Sequence, residues 1–306
     1  MEATGEQIRI TYGKLRPDGE VSWQFVRHQD HDGVGGLAKL LLADGEAVSE
    51  LPRAKHLYRV NWVERVIALF RFSWISRVYP GGYFEKQDFQ TAAAEQPVFW
   101  QRFDAIESAA IRSKAERLGV STNTLMLCAL NQSVTPLLIR RETPRRWMVP
   151  SNLRGLIDRK DPLSNHATYI LCEIRSGDSP RDVHSAIRDQ LRKNVHIGGW
   201  DSIRLLGFIG IEKARKFMRL SWKELARKKH TWVGVFSNIG EWKGRSSEGW
   251  IFCPPSNRHQ PIAAGAVQWN GELRIAVQLH SCLRMEPQKA RELLSGWVEE
   301  LKTATN

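Results

Sequence analysis

Segments with strand-like and helix-like patterns alternate along the whole chain, and this alternation limits the possible folds more than any other feature. The clearest pair of strands lies in residues 263–280, where Asn270 and Gly271 separate two apolar stretches and predict a tight β-hairpin turn. Residues 286–304 follow with an amphipathic pattern that predicts a closing helix. Strands that alternate with helices are typical of the α/β class, with mixed sheets flanked by helices.

Two other segments have well-marked boundaries. Ser179 and Pro180 are typical of a helix start, and Gly198 is expected to follow the end of the same helix. The apolar run that begins at Trp232 predicts a strand that stops at Ser237 and Asn238. These two polar residues are therefore expected at a strand end.

A basic stretch interrupted by proline, RRETPRRW (Arg140–Trp147), lies near the middle of the chain and predicts the crossing between two halves. We therefore expect an N-terminal lobe in residues 1–140 and a C-terminal lobe in residues 141–306. A chain of 306 residues is long enough for two lobes that each have a hydrophobic core.

The net charge of +12 indicates an anionic partner, because a surface of this sign attracts acidic ligands. Nucleic acid, a phosphorylated cofactor and an acidic carrier protein are all candidates. The basic residues stand in short, scattered groups, and the sequence contains no helix-turn-helix, zinc-finger or RNP-type signature. Nucleic acid is therefore not the expected partner.

The four cysteines, Cys128, Cys172, Cys253 and Cys282, are far apart and form no C-x-x-C pair. This spacing argues against a zinc site and against a disulfide framework, and it favours a reducing compartment such as the cytoplasm. The polar, acidic start of the chain does not resemble a signal peptide.

The most apolar run, Val60–Tyr79, carries Glu64, Arg65, Arg71 and Arg77 and is too charged to span a bilayer. Two interpretations stay open for it. Its mixture of arginine with tryptophan and phenylalanine is compatible with a helix at a membrane surface, and hence with peripheral membrane contact. A helix packed under a lobe, with its arginines extended towards water, is the favoured interpretation.

The stretch WQFVRHQDHDGVGGLAKLLL (23–42) collects histidines, acids and glycines between apolar flanks. Residues 33–38 match the pattern G-x-G-x-x-A, but two aspartates precede them where a dinucleotide pyrophosphate would have to approach. His28, His31 and Asp32 could supply two metal ligands, yet no further ligand stands nearby in the sequence. The third interpretation is the pattern H-x-x-x-D-G, formed by His28, Asp32 and Gly33.

This pattern resembles the signature H-H-x-x-x-D-G of the chloramphenicol acetyltransferase-like superfamily, with Arg27 in place of the first histidine. The superfamily includes condensation domains of nonribosomal peptide synthetases and the wax ester synthase/diacylglycerol acyltransferases. Further blocks resemble it in the same order over nearly the whole chain: VPSNLRG (149–155), VFSNIG (235–240) and the closing hairpin. The family usually has a substantial stretch before the histidine motif. The resemblance therefore implies a two-lobed fold with an incomplete first lobe, apparently shortened at the N-terminus.

The resemblance implies an acyltransferase with His28 as general base. An acyl group would pass from a thioester, either acyl-coenzyme A or an acyl-carrier protein, to the hydroxyl or amine of a small acceptor. Neutral imidazole, with a pKa of about 6.5, can accept the proton at cellular pH. The transfer would be direct, without a covalent acyl-enzyme, a tightly bound cofactor or a metal.

The resemblance also implies supporting roles for neighbouring residues. Asp32 would point away from the substrate and pair with Arg154, and Asn152 of the same block would support the pair. Gly33 would allow a tight turn. Asp32 is also a candidate N-cap of the helix that follows, and the two roles are compatible.

Three smaller expectations concern the walls of the site. Ser237 and Asn238 are the candidate donors to the tetrahedral oxyanion. Gly35 and Gly36 are expected to keep a wall small where substrate passes. The other histidines considered, His31, His166 and His280, are expected to be structural or surface residues.

Two alternatives to catalysis by this chain alone stay open. The chain could be a non-catalytic, condensation-like binding or scaffold protein. It could also be one chain of a split enzyme, with a partner chain that supplies the N-terminal part.

Overall fold

The fold was analysed in a computed structural model of the chain. The structure describes residues 8–48, 50–53, 60–75, 83–85, 87–88, 96–139, 142–157, 159–208, 210, 212–213, 216, 220, 232–245 and 249–303.

The described elements follow one another as a mixture of strands and helices, as the sequence predicts. The strands are β1 (Arg9–Leu15), β2 (Val21–Arg27), β3 (Phe99–Arg102), β4 (Arg145–Asn152), β5 (Ala167–Ile174), β6 (Gly234–Trp242), β7 (Trp250–Cys253), β8 (Ile262–Trp269) and β9 (Glu272–Leu279). The α-helices are α1 (Gly33–Ala43), α2 (Trp62–Ile75), α3 (Ala105–Arg117), α4 (Thr122–Ser133), α5 (Pro180–Arg192), α6 (Val195–Phe208) and α7 (Pro287–Thr303). Short 3-10 helices cover Thr135–Leu137 and Ser281–Leu283.

The strands form two sheets. The small sheet has the order β2-β1-β7, and the large sheet has the order β3-β9-β8-β6-β4-β5. The expected class, α/β with mixed sheets flanked by helices, is confirmed. Both sheets take strands from either side of residue 140, because β7 joins β1 and β3 joins β9. The division into lobes at this residue stays a prediction.

The hairpin between β8 and β9 turns where the sequence predicts it. Asn270 and Gly271 both have positive φ, 48° and 89°. Two consecutive positive φ values are required by a type I′ turn, whose twist matches that of the flanking strands. Trp269 and Glu272 are accordingly paired across the turn.

The main core lies between the large sheet and helices α3, α4 and α7. Trp297 of α7 packs edge-on against Phe236 of β6, with the ring centroids 6.0 Å apart. Its indole Nε1 donates to the carbonyl of Met126 in α4 at 2.9 Å. Large aromatic side chains bury much apolar area, and this one also has a partner for its polar atom. The closing helix is thereby anchored to the sheet and to α4.

The small sheet lies between helix α1 and the large sheet. On one face Tyr12 and Val26 cluster with Leu37 of α1. On the other face Leu15 and Ile251 cluster with apolar side chains of β6, β8 and β9. The start of α1 is therefore held beside the large sheet.

Two boundaries differ from the sequence-based expectation. Helix α5 ends at Arg192, and Asn194 takes the left-handed φ of 57° that asparagine tolerates. Gly198 lies inside α6, where a Cβ atom would come within 2.1 Å of the Ala68 carbonyl oxygen of α2. The expectation that Gly198 ends a helix was wrong, since close packing of two helices explains this glycine.

Strand β6 does not stop at Ser237 and Asn238. It continues to Trp242 through a bulge between Asn238 and Glu241, where Gly240 has a φ of 87°. A bulge of this kind bends a strand and re-aims its side chains. The expected strand end was therefore wrong, and the two polar residues lie just before a bulge.

Helix α2 lies in the apolar run Val60–Tyr79, of which residues 76–79 are outside the described ranges. Among the helices that the structure describes, none is long and apolar enough to cross a membrane.

Two glycines of α6 give a matched test of the packing between α2 and α6. Gly198→Ala should lower the free energy of unfolding by about 1–3 kcal/mol, because the new methyl group collides with the Ala68 carbonyl. Gly207→Ala meets open space and should raise it by about 0.5–1 kcal/mol, through helix propensity. Urea unfolding measures both values. Equal stability of the Gly198→Ala variant and the wild type would contradict the close contact.

Candidate active site

The turn from β2 into α1 carries the histidine motif. His28 follows the last residue of β2, and Asp32 is the N-cap of α1 in extended conformation. The Asp32 carboxylate accepts from the backbone N–H of Gly35 at 2.8 Å. An aspartate N-cap before an apolar helical stripe is a common start for a helix. The local sequence therefore fixes where α1 begins.

The glycines after the motif serve close packing. A Cβ atom on Gly35 would lie 2.1 Å from the Leu163 carbonyl oxygen, and one on Gly36 would lie 2.4 Å from the Tyr12 hydroxyl. The same hydroxyl donates to the Gly33 carbonyl at 2.8 Å. The expectation that Gly35 and Gly36 keep a substrate wall small was wrong, since protein atoms occupy the space next to both.

Asp32 and Arg154 form a buried, bidentate ion pair. Nη1 of Arg154 lies 2.8 Å from Oδ2 of Asp32, and Nη2 lies 3.0 Å from Oδ1. The side chains are 4% and 5% exposed. Asp32 is thus an N-cap and an ion-pair partner at the same time. Its carboxylate is occupied by protein donors.

All hydrogen-bonding groups of this pair have partners. Besides its two bonds to Asp32, the Arg154 guanidinium donates to the carbonyls of Pro162 and Ser164 and to Oδ1 of Asn152. These contacts use the five N–H groups that a guanidinium has. Asp32 also accepts from the backbone N–H of His166 at 2.7 Å, in addition to Gly35. Buried charges are tolerated when they are paired and hydrogen-bonded in this way.

The segment before β5 contacts the His28 loop directly. Asn165 donates from Nδ2 to the His28 carbonyl at 2.9 Å and from its backbone N–H to the Asp30 carbonyl at 3.2 Å. Nδ1 of His31 donates to the Leu163 carbonyl at 2.7 Å. These three hydrogen bonds hold residues 28–31 against residues 163–165.

One ring nitrogen of His28 is held by the loop itself. Nδ1 of His28 lies 3.2 Å from the His31 carbonyl oxygen. A carbonyl can only accept, so Nδ1 carries the hydrogen and Nε2 carries the lone pair in the neutral ring. Burial lowers the pKa of His28 from its ordinary value, although the His31 carbonyl and Asp32 act in the opposite direction. The ring is therefore neutral at cellular pH.

Asn152 connects the ion pair to a neighbouring loop. Its Oδ1 accepts from the backbone N–H of Arg154 at 2.9 Å, and its Nδ2 donates to the Pro52 carbonyl at 2.6 Å. Pro52 lines a cavity of about 680 Å³ that is open to solvent. Asn152 thus connects Pro52, in the cavity wall, to Arg154 of the ion pair through two hydrogen bonds.

Ser237 and Asn238 lie on β6 near this cavity. Asn238 lines it, and its Nδ2 donates to Oδ1 of Asn123 at 2.6 Å. Ser237 is nearly buried and lies opposite Gly265 in the sheet. Two residues further along, Ile239 contacts the Gly33 position of the motif. Strand β6 therefore packs against the start of α1, while the Asn238 side chain is hydrogen-bonded to Asn123.

His166 and His280 make structural contacts. His166 is buried, and its Nδ1 donates to the Ser164 carbonyl at 2.8 Å. Nδ1 of His280 accepts from the backbone N–H of Cys282 at 3.1 Å. Within the described residues, no group of three His, Cys, Asp or Glu side chains is arranged to hold a metal ion.

Asn165 is the supporting residue that sequence reasoning missed. It lies two residues before the start of β5, in the segment LSNHATYI (163–170). Its contacts go to backbone carbonyls of residues more than 130 positions away, and such contacts leave no trace in local spacing.

The ion pair can be tested against a surface pair in the same region. Asp32→Asn should lower the free energy of unfolding by about 3–5 kcal/mol, because it leaves the Arg154 charge buried and uncompensated. Lys14→Gln removes the more exposed Lys14–Asp44 pair and should cost no more than about 1 kcal/mol. Chemical denaturation of both variants measures the difference. Similar small effects would show that the buried pair does not stabilise the fold.

Comparison with known proteins gives structural matches only. No protein-family model matches the sequence, and no curated protein matches it.

Several solved structures share the fold at low sequence identity. The epimerization domain from the third module of tyrocidine synthetase B has a TM-score of 0.55 at 15% identity, over 92% of this chain and 68% of that chain. The cyclization-docking bidomain of the nonribosomal peptide synthetase EpoB from Sorangium cellulosum has a TM-score of 0.59 at 11% identity, over 94% and 61%.

An acetyltransferase matches as well. The trichothecene 15-O-acetyltransferase from Fusarium sporotrichioides has a TM-score of 0.55 at 13% identity, over 80% of this chain and 52% of that chain. The aligned part is thus between 52% and 68% of the length of these three proteins. The protein has the chloramphenicol acetyltransferase-like fold that condensation-type domains and acetyltransferases share.

Proposed function

We propose that the protein is an acyltransferase that uses His28 as general base. The observation that carries this proposal is the tautomer of His28, since Nδ1 donates to the His31 carbonyl and Nε2 keeps its lone pair. The ring stands on a loop that is held by the buried Asp32–Arg154 pair and by Asn165. A base with this orientation and a lowered pKa is ready to accept a proton at neutral pH.

The proposed reaction is a direct transfer. Nε2 of His28 takes the proton of the acceptor hydroxyl or amine as the acceptor atom attacks the thioester carbonyl. The new C–O or C–N bond forms, the tetrahedral intermediate collapses, and the C–S bond breaks. The leaving thiolate takes the proton back from the imidazolium, so that no acyl-enzyme forms and the histidine is restored.

The tetrahedral oxyanion requires donors, and Ser237 and Asn238 stay our candidates for them. Their support is the packing of β6 against the start of α1, where Ile239 contacts the Gly33 position. Asn238 also lines the cavity of about 680 Å³. An amide nitrogen has two N–H groups, so the bond from Asn238 to Asn123 leaves one to donate.

We propose a thioester donor on an acidic carrier protein or on coenzyme A, and a small molecule as acceptor. The net charge of +12 would attract either donor. The structural matches to nonribosomal peptide synthetase domains favour the carrier protein. The four cysteines are free thiols, which is compatible with a reducing compartment such as the cytoplasm.

Thiol release from acyl-coenzyme A and from acyl-carrier donors, with mixed alcohol and amine acceptors, tests the function. His28→Asn should lower acceptor-dependent release by about 10²–10⁴-fold, because asparagine can still donate to the His31 carbonyl but cannot act as a base. Circular dichroism and thermal unfolding check that the variant folds like the wild type. No release by the wild type, or equal release by the variant, would favour a binding protein or one chain of a split enzyme.

The pH dependence of kcat/KM gives an independent test of the base. The active ring is neutral, and burial places the pKa of His28 below its ordinary value of 6.5. The rate should therefore fall to half of its maximum only below pH 6.5, and decrease tenfold per pH unit in still more acidic solution. A rate that is already at half of its maximum at pH 7 or above would contradict the role assigned to His28.

A further inference from the structure

Helix α2 has two apolar faces, and only the narrower one is buried in the protein. Ala68 and Phe72 pack inwards, where Phe72 contacts Tyr169 of β5 and the Gly199 position of α6. Six other apolar residues of the helix are exposed: Trp62, Val63, Val66, Ile67, Phe70 and Trp74. At 100° per residue they occupy one continuous arc of about 140°.

The exposure on this arc is large. Trp62, Phe70 and Trp74 are 76%, 71% and 64% exposed. Trp74 lies twelve positions after Trp62, so the two side chains stand about 18 Å apart along the helix axis. Side chains of this size are rarely left in water as a contiguous patch unless the patch binds something.

The end of α6 carries two more exposed apolar side chains. Arg65 of α2 pairs with Asp201 of α6, and Ala68 meets Gly198, so the two helices run antiparallel. The C-terminal end of α6 therefore lies beside the start of α2. Leu205 and Phe208 are exposed there, Phe208 at 78%.

The charges beside this surface are predominantly basic. Arg71 and Arg204 are exposed on the two helices beside one exposed acid, Glu64, and Asp201 is neutralised by Arg65. A second copy of this chain, also with a net charge of +12, would be repelled from such a surface. An anionic surface would be attracted.

We propose that the exposed arc of α2 binds the surface of a lipid bilayer that contains anionic phospholipids. Tryptophan and phenylalanine on one face and arginine at its edge are the composition of a helix that lies in the plane of a membrane surface. Trp62 and Trp74 lie near the two ends of α2 and orient the helix parallel to the bilayer. This binding is independent of the proposed acyl transfer.

Vesicle flotation of the full chain tests this proposal. Vesicles of phosphatidylcholine alone are compared with vesicles of equal parts phosphatidylcholine and phosphatidylglycerol. The wild type should float with the anionic vesicles and more weakly with the neutral ones. Combined Trp62→Ser, Phe70→Ser and Trp74→Ser should lower the partition coefficient by about tenfold or more. Arg71→Gln should lower it about fivefold on anionic vesicles only.

Ile106→Ser is the matched control, because Ile106 is 81% exposed but lies on α3. It should float like the wild type. Urea unfolding checks the triple variant, and Phe70→Ser alone should give a smaller loss of the same sign. Absence of flotation with both vesicles, or flotation equal in the triple variant and the wild type, would overturn the proposal. So would self-association, seen by analytical ultracentrifugation, that the triple variant abolishes while vesicles are not bound.

Discussion

The buried ion pair between Asp32 and Arg154 is the interaction on which the rest of the site depends. Each ion would cost several kcal/mol to bury alone, and only a full set of partners offsets that cost. Here the guanidinium uses its N–H groups on Asp32, Asn152 and two carbonyls, and the carboxylate caps α1 as well. One contact therefore fixes the start of a helix, the segment before β5 and the loop that carries His28.

Local signals in the sequence predicted the elements that depend on local contacts. The β8–β9 turn, the start of α5 at Ser179 and the closing helix α7 all follow from neighbouring residues. The errors at Gly198 and at the end of β6 arise from contacts between segments that are distant in the sequence. Gly198 looks like a helix end in the sequence, yet the carbonyl of a distant helix explains it. The order of strands in the sheets is also set by contacts between distant segments, and no spacing pattern contains it.

The candidate site likewise combines residues that a local motif predicts with contacts between distant segments. His28, Asp32 and Gly33 form a motif with fixed spacing, and the resemblance also supplied Arg154. The spacing of this motif alone could not have predicted that Asp32 pairs with Arg154, which lies 122 positions later. Asn165 could not be predicted, because its partners are backbone carbonyls, which every residue has. The orientation of the His28 ring likewise depends on the His31 carbonyl, which only the folded turn brings into position.

Strand β7 has a consequence for the synthesis of the chain. β1 pairs with β2, which follows it closely in the sequence. The other edge of β1 pairs with β7, where Cys253 lies opposite Thr11 and is synthesised about 240 residues later. At ribosomal speeds of roughly 5–20 residues per second, this edge stays open for about 12–48 s. An open strand edge can pair with other chains during that time. The nascent protein thus needs protection from aggregation until its second half has emerged.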